Sequence, residues 1–372
     1  MKKLGFGLMR LPLTDPDNGA SINMPEFERM IDAFIANGYT YFDTAWMYHD
    51  GFSEKAVKTA LMQRHPRESF TLTTKLHGGY VKSFEDRDRI FNEQLNKTGA
   101  EYFDYYLLHA IGRDMYENKY LKFDCFNWLR EKKRMGLVKH IGFSFHDSAA
   151  VLDRILTEQP DMEFVQLQLN YLDWESEGVQ SRLCYEVACK HGVPVIVMEP
   201  VKGGILANLP HTAAEILKQK DETASPAAWA LRFAGGLDNV YMVLSGMSNM
   251  QQLEENMALF DELKPLNDEE KATLERVVSL MTHSDAISCT ACSYCTDGCP
   301  KNIAIPKYFS LYNTDLLERE GREWSAQESY YENLAHNFGK ADDCIECGQC
   351  ENVCPQHLPI TDLLKKVAKH FG

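Results

Sequence analysis

Residues 24–44 read M-P-E-F-E-R-M-I-D-A-F-I-A-N-G-Y-T-Y-F-D-T. Phe27, Met30, Ile31 and Phe34 recur at helical spacing, and Gly38 stops the pattern. The next six residues, Y-T-Y-F-D-T (39–44), are aromatic and β-branched, the composition of a strand. A helix that feeds a strand, repeated along a chain, is the pattern of a parallel α/β fold.

The pattern repeats outward from that segment. Strand-like runs stand at K-L-G-F-G-L (3–8), F-T-L-T-T-K (70–75), F-D-Y-Y-L-L-H (103–109), K-H-I-G-F-S (139–144), E-F-V-Q-L-Q (163–168), V-P-V-I-V-M (193–198) and N-V-Y-M-V-L-S (239–245). With 39–44 they make eight, separated by helix-like segments. One of these, S-P-A-A-W-A-L-R-F-A-G-G, has Ser225 placed to cap, Pro226 in the first turn and Gly235 past the end. Eight such units in the first 283 residues match a (β/α)8 TIM barrel. An open doubly wound sheet is the competing architecture, but no G-x-G-x-x-G follows the first strand.

Composition limits the possibilities further. A chain of 372 residues has room for a barrel and a smaller second domain. Its hydrophobic content of 44% and charged content of 25% are those of a globular protein. A net charge of -15 argues against nucleic acid or an anionic membrane as the main partner. The start, M-K-K-L-G-F-G-L-M-R-L-P, imitates a short leader, yet Arg10 and Pro12 cut its apolar stretch. With no apolar run long enough to span a bilayer, the expected location is cytoplasmic, where thiols stay reduced.

After the charged helix D-E-E-K-A-T-L-E-R-V-V-S-L-M (268–281) the composition changes, and a boundary is expected near residue 284, giving domains 1–283 and 284–372. Cys289, Cys292, Cys295 and Cys299 are spaced C-x2-C-x2-C-x3-C-P, as are Cys344, Cys347, Cys350 and Cys354. At that spacing three thiolates turn toward one cubane, while the fourth reaches a second. One [4Fe-4S] cluster would take Cys289, Cys292, Cys295 and Cys354, and the other Cys344, Cys347, Cys350 and Cys299. Zinc knots are the alternative, although zinc favours separated C-x2-C pairs and needs no crossing ligand. Cys125, Cys184 and Cys189 have no ligand spacing and read as small buried apolar residues. Each C-P is followed by a proline, Pro306 or Pro359, that can start a helix. The tail resembles a helical two-cluster ferredoxin-like module, with L-L-E-R-E-G-R-E-W (316–324) and S-Y-Y-E-N-L-A-H (329–336) of the intervening segment expected as helix.

In a barrel, chemistry gathers at the C-terminal ends of the strands. There the sequence offers Asp43 with Tyr48 just beyond it, Lys75 and His109. Each alone reads as readily as a cap, a plug, a surface cation or a core histidine. Together they suit carbonyl reduction: Tyr48 as proton donor with its pKa lowered by Lys75, Asp43 holding Lys75, and His109 orienting the carbonyl. D-T-A-W-M-Y-H-D-G-F-S-E (43–54), Y-F-D-Y-Y-L-L-H and K-H-I-G-F-S resemble the aldo-keto reductase family over residues 1–283. The resemblance implies that Asp43, Tyr48, Lys75 and His109 are a catalytic tetrad, and that the chain falls in the subgroup with a ferredoxin-like tail.

It also implies an NADP(H) or NAD(H) site. Ser144 and Gln166 stand where the family holds the carboxamide, with Phe145 in place of the usual Asn, and Met198 in place of the Tyr that stacks on the ring. Gly246, Glu255 and Asn256 fall in the stretch that meets the adenine side, but Gln252 replaces an Arg that would hold the 2'-phosphate. The same loop reads as a plain helix start capped by Ser248 or Asn249. Trp46, His49 and Tyr116 either line the pocket mouth or simply pack.

Three functions are compatible with this inventory. One is a redox enzyme acting on a small carbonyl substrate, its clusters passing single electrons to or from a carrier. Another is a plain nicotinamide carbonyl reductase braced by its clusters. The third is an electron-transfer or sensing protein with an inactive barrel.

Overall fold

A computed structural model describes residues 2–176, 179–282, 285–318, 326–335 and 337–372. It divides into two compact units. The first comprises the chain up to Glu175, Gln180–Pro200 and Leu231–Leu266. The second consists chiefly of Val201–Ala230 and the described part of Asn267–Gly372. The boundary expected near residue 284 falls at 283–284, outside the described residues.

The first unit holds a closed barrel of eight parallel strands in sequence order. They are β1 (Leu4–Gly7), β2 (Tyr41–Asp43), β3 (Thr71–His77), β4 (Phe103–Ile111), β5 (Val138–Phe145), β6 (Phe164–Gln168), β7 (Val195–Met198) and β8 (Val240–Gly246). All eight fall where the sequence places them, with β3 running on to His77 and β4 to Ile111. The helix Met24–Ala36 buries Phe27, Met30, Ile31 and Phe34, the four residues at helical spacing. Its Asn23 cap accepts from Glu26 N at 3.3 Å. Ser225 likewise caps the helix Pro226–Gly235, accepting from Ala228 N at 3.2 Å. Gly235 is that helix's last residue rather than the one beyond it, and it sits at a close approach, where a Cβ would meet Leu263 at 2.8 Å.

Because alternate strand residues point inward, the barrel interior is stacked in layers. The lower layer is apolar: Tyr41, Leu107, Phe164, Ile196, Met242 and Leu244 form one buried cluster. Two residues further along β2, β4 and β6 the inward positions turn polar, at Asp43, His109 and Gln166, while the same step on β7 brings Met198. β5 approaches β6 closely at Gly142, where any side chain would collide with Phe164.

In the second unit the expected helices after Pro306 and Pro359 form as Ile305–Glu318 and Ile360–Phe371. Ala326–Ala335 is helical too, as read for 329–335, whereas residue 336 and most of 316–324 lie outside the described residues. These helices close on a core of Tyr308, Phe309, Tyr312, Leu364 and Val367 that includes Cys295 and Cys350. Among the described residues no helix is long and apolar enough to cross a membrane.

Candidate functional site

The polar layer of the barrel brings the four expected residues together. Lys75 is fully buried on β3, and its Nζ donates to Asp43 Oδ1 at 2.5 Å, to the Thr44 carbonyl at 2.8 Å and to Tyr48 Oη at 3.4 Å. The Tyr48 and His109 rings meet edge to face with centroids 6.1 Å apart. His109 Nδ1 is buried and has no hydrogen-bond partner among the described residues. Buried imidazole nitrogens are normally paired, so this ring retains hydrogen-bonding capacity for a bound group.

Electrostatics here follow from burial. Desolvation pushes the Asp43 carboxyl up and the Lys75 ammonium down, while their mutual attraction opposes both shifts. Burial, and secondarily the positive charge of Lys75, holds His109 well below the usual imidazole range, so the ring is neutral. Tyr48 departs from the expectation. Rather than lowered by Lys75, its pKa is raised well above the normal phenol value, by burial first and then by the Asp43 and Glu199 carboxylates. Lys75 is directed at Asp43 at 2.5 Å and only weakly at the phenol at 3.4 Å. Tyr48 is thus a firmly protonated phenol.

A buried layer behind these four residues was not singled out in the sequence. Glu54, wholly buried, accepts from Thr74 Oγ1 and Gln94 Nε2, both at 2.8 Å. Gln94 also donates to the Lys75 carbonyl at 3.0 Å, so this network grips β3 from its outer face. The one available signal was Glu54 in the G-F-S-E end of the 43–54 motif; Gln94 sits in a helix with nothing to distinguish it.

Ser144 and Gln166 pair in register across β5 and β6, and both are buried. Ser144 Oγ accepts from Ala110 N at 2.7 Å, leaving its hydroxyl to donate, and Gln166 Nε2 reaches Asp43 Oδ2 at 3.3 Å. Met198 ends β7 and is partly exposed, and Gly246 ends β8. Phe145, at the Asn position, is buried. At the helix Met250–Asp261 it is Asn249 rather than Ser248 that caps, accepting from Gln252 N at 2.9 Å. Gln252 turns back to accept from Ser248 N at 2.7 Å, and Asn256 donates to Ser245 Oγ at 3.1 Å. Glu255 accepts from Gln251 at 2.8 Å.

Of the mouth residues, Tyr116 packs: it is fully buried and donates to Glu158 at 2.7 Å. His49 uses both ring nitrogens, toward Leu11 N and the Gly19 carbonyl, each at 3.0 Å. Trp46 lies under the Lys97 ammonium at 3.7 Å. Cys125 and Cys184 are buried as expected, but Cys189 is exposed. It lies near the C-terminal end of its helix, Ser181–Lys190, whose buried face is carried by Ser181, Cys184 and Ala188.

In the second unit the tail cysteines line two hollows. Cys289, Cys292, Cys295 and Cys354 line one of about 310 Å³. Cys344, Cys347, Cys350 and Cys299 line the other, of about 330 Å³. Each hollow draws three thiols from one cysteine run and the fourth from the other. Ile305 lies against both, and apolar residues fill out the walls. Among the described residues no three His, Cys, Asp or Glu side chains close on a single-ion site. Burial pushes the thiols of Cys289 and Cys350 up to about 11, and Cys295 also upward. Thiolates there need bound positive charge to persist, and iron would supply it. The donor set therefore fits a cubane better than zinc.

A closed parallel barrel with a buried Lys–Asp pair and a phenol at the strands' C-terminal ends belongs to the class of barrel oxidoreductases. Residues 3–279 match the sequence profile of the aldo/keto reductase family, and the chain belongs to that family. Residues 288–359 match the profile of a 4Fe-4S dicluster domain. The chain is similar to an aldo-keto reductase of Mycolicibacterium paratuberculosis, 28% identical over 247 residues covering 65% of this chain and 78% of that one. It is also similar to L-galactose dehydrogenase of Arabidopsis thaliana, 25% identical over 265 residues, covering 66% and 80%. A solved aldo-keto reductase from Klebsiella pneumoniae, in complex with NADPH, superposes with a TM-score of 0.60 at 20% identity, covering 74% of this chain and 90% of that one.

Proposed function

We propose that this aldo/keto reductase is a nicotinamide-dependent carbonyl reductase, with Tyr48 as proton donor and the 284–372 module holding two [4Fe-4S] clusters that pass single electrons to or from a partner carrier. The observation that carries the reading is the Asp43–Lys75–Tyr48 chain of contacts beside a neutral His109 with a spare ring nitrogen. When bound, a nicotinamide supplies hydride to the carbonyl carbon, and a [4Fe-4S] cluster exchanges one electron at a time.

The chain's own residues do the rest. Tyr48 Oη holds the proton destined for the substrate oxygen. Its raised pKa is no obstacle, since the alkoxide that develops is a stronger base than a phenolate. Lys75 sits close enough to orient that hydroxyl and to stabilise the phenolate left behind. His109, neutral, steers the carbonyl oxygen by hydrogen bond without competing as a charged acid. Ser144 and Gln166 offer adjacent polar groups for a carboxamide, and Met198 a thioether for the ring face. NADP as the cofactor is supported by family membership and by the NADPH held in the Klebsiella relative. No Lys or Arg lies between Gly246 and Asn256 to add a charge-assisted bond to a 2'-phosphate.

The deciding experiment is a carbonyl panel with NADPH and NADH on anaerobically purified protein, run beside Tyr48→Phe. We expect Tyr48→Phe to lower turnover by about 10²–10⁴-fold while cofactor binding survives. Unchanged turnover would remove Tyr48 from the chemistry. A second reading, clusters that only brace the fold, draws on the presence of Cys295 and Cys350 in the second unit's core. It is excluded if chemically reduced clusters are reoxidised on adding a carbonyl substrate.

A further inference from the structure

The turn that follows β7 carries a lysine that the proposed chemistry does not use. Lys202 is 2% exposed and lies in the second unit, four residues after Met198 in the chain. Lys202 (φ 47) and Gly203 (φ 64) both take the left-handed conformation, which is costly for a residue with a side chain. The Lys202 ammonium donates to Gln356 Oε1 at 2.9 Å. Gln356 stands two residues past Cys354 and lines the hollow formed by Cys289, Cys292, Cys295 and Cys354. A Cβ on Gly203 would lie 2.8 Å from both the carbonyl oxygen and the Cβ of Thr290, the neighbour of Cys289. The turn is thus pressed onto the first cysteine loop as closely as backbone allows. The other hollow has Lys301 on its wall, but that side chain is exposed and its charge is screened by solvent.

A fixed positive charge in a dry site stabilises the more negative, reduced form of any neighbouring redox centre, and does so far more than a solvated charge. We infer that Lys202 is a positioning residue for electrons: it holds the cluster of Cys289, Cys292, Cys295 and Cys354 at a higher reduction potential than the cluster of Cys344, Cys347, Cys350 and Cys299. An electron shared by the two clusters then rests on the first. The inference depends on the two-cluster reading above and adds a rank order to it.

The test is an anaerobic dithionite titration of the holoprotein followed by electron paramagnetic resonance, with iron and sulfide counted in each sample. The wild type is expected to show two separate one-electron steps. Lys202→Gln should lower the upper step by at least the equivalent of a tenfold change in the reduction equilibrium, about 59 mV for one electron. The lower step should not move, and Lys202→Arg should restore the wild-type pattern. Equal shifts in both steps, or none, with iron and sulfide intact, would overturn the role of Lys202. If Lys202→Gln loses iron, Cys347→Ser decides the rank order: it must perturb the lower step and spare the upper, and the reverse pattern overturns the inference. Absence of sulfide from the wild type would instead remove the two-cluster reading itself.

Discussion

At Lys75 two demands meet in one side chain. The proposed mechanism needs it charged, yet it is fully buried, and Asp43 at 2.5 Å and the Thr44 carbonyl at 2.8 Å are its nearest compensation for the loss of water. Replacing it by Met strands the Asp43 carboxylate, and we expect a loss of about 3–5 kcal/mol in urea unfolding. A variant as stable as the wild type would mean that the pair is neutral in the folded protein. Two histidines whose rings meet edge to face with centroids 5.4 Å apart, His77 and His109, predict the acid side of the stability curve. Burial lowers His77 from 6.5 to about 4, and His109 well below the same starting value. Below pH 6.5 the unfolded chain therefore takes up protons that the folded chain refuses, so stability is complete above that pH and declines as pH falls toward 4. Unfolding midpoints measured between pH 7.5 and 4.5 should show that slope, and His77→Asn should flatten it; a slope unaltered by the substitution would place its origin elsewhere.

At the scale of the element, the barrel strands explain how residues far apart in the chain come to share one layer. The register pairs Asp43 with Thr73 and His77 with His109, and the alternation of side chains turns Lys75 inward while Thr74 faces Glu54 and Gln94. The first turn of the helix Met250–Asp261, which follows β8, is held by Asn249 and Gln252 instead of by a cation. On the proposed NADP reading, a guanidinium placed there adds a charge-assisted bond to the 2'-phosphate, worth about 1.5–3 kcal/mol. Gln252→Arg is therefore expected to tighten NADPH roughly ten- to a hundredfold and to leave NADH unaltered, as read by fluorescence titration. Equal gains for both nucleotides would show that the 2'-phosphate does not lie at this turn.

For the whole molecule, the cysteine runs bear on folding as well as on redox chemistry. Their loops share the second unit's core with Tyr308, Phe309 and Val367, and the crossed sets tie residues 289–299 to residues 344–354. Metal that is bound only by the folded unit contributes its binding energy to folding. Stripping the iron should expose the segment after residue 285 to proteolysis while the first unit's barrel retains its far-ultraviolet circular dichroism. If both survive unchanged, the clusters contribute nothing to the fold. The barrel's lower layer is closed by side chains of its own strands, Tyr41, Leu107, Phe164, Ile196, Met242 and Leu244, and should hold without the metal.

Periodicity was enough to read the eight strands and the helix placed at 24–38, which runs Met24–Ala36, because each is a local pattern in the chain, while the four strand-end residues and the cysteine runs were legible as candidates from a motif and a spacing. Three-dimensional packing decided the rest. Burial is a property of neighbours brought from elsewhere, so it raised the Tyr48 pKa where spacing alone implied that Lys75 would lower it. It likewise gave Glu54 and Gln94 a place behind the tetrad, withdrew Tyr116 from the pocket and left Cys189 exposed. Lys202 shows the same limit: only the folded chain sets the lysine of an unremarkable turn beside cysteines that lie more than eighty residues further along.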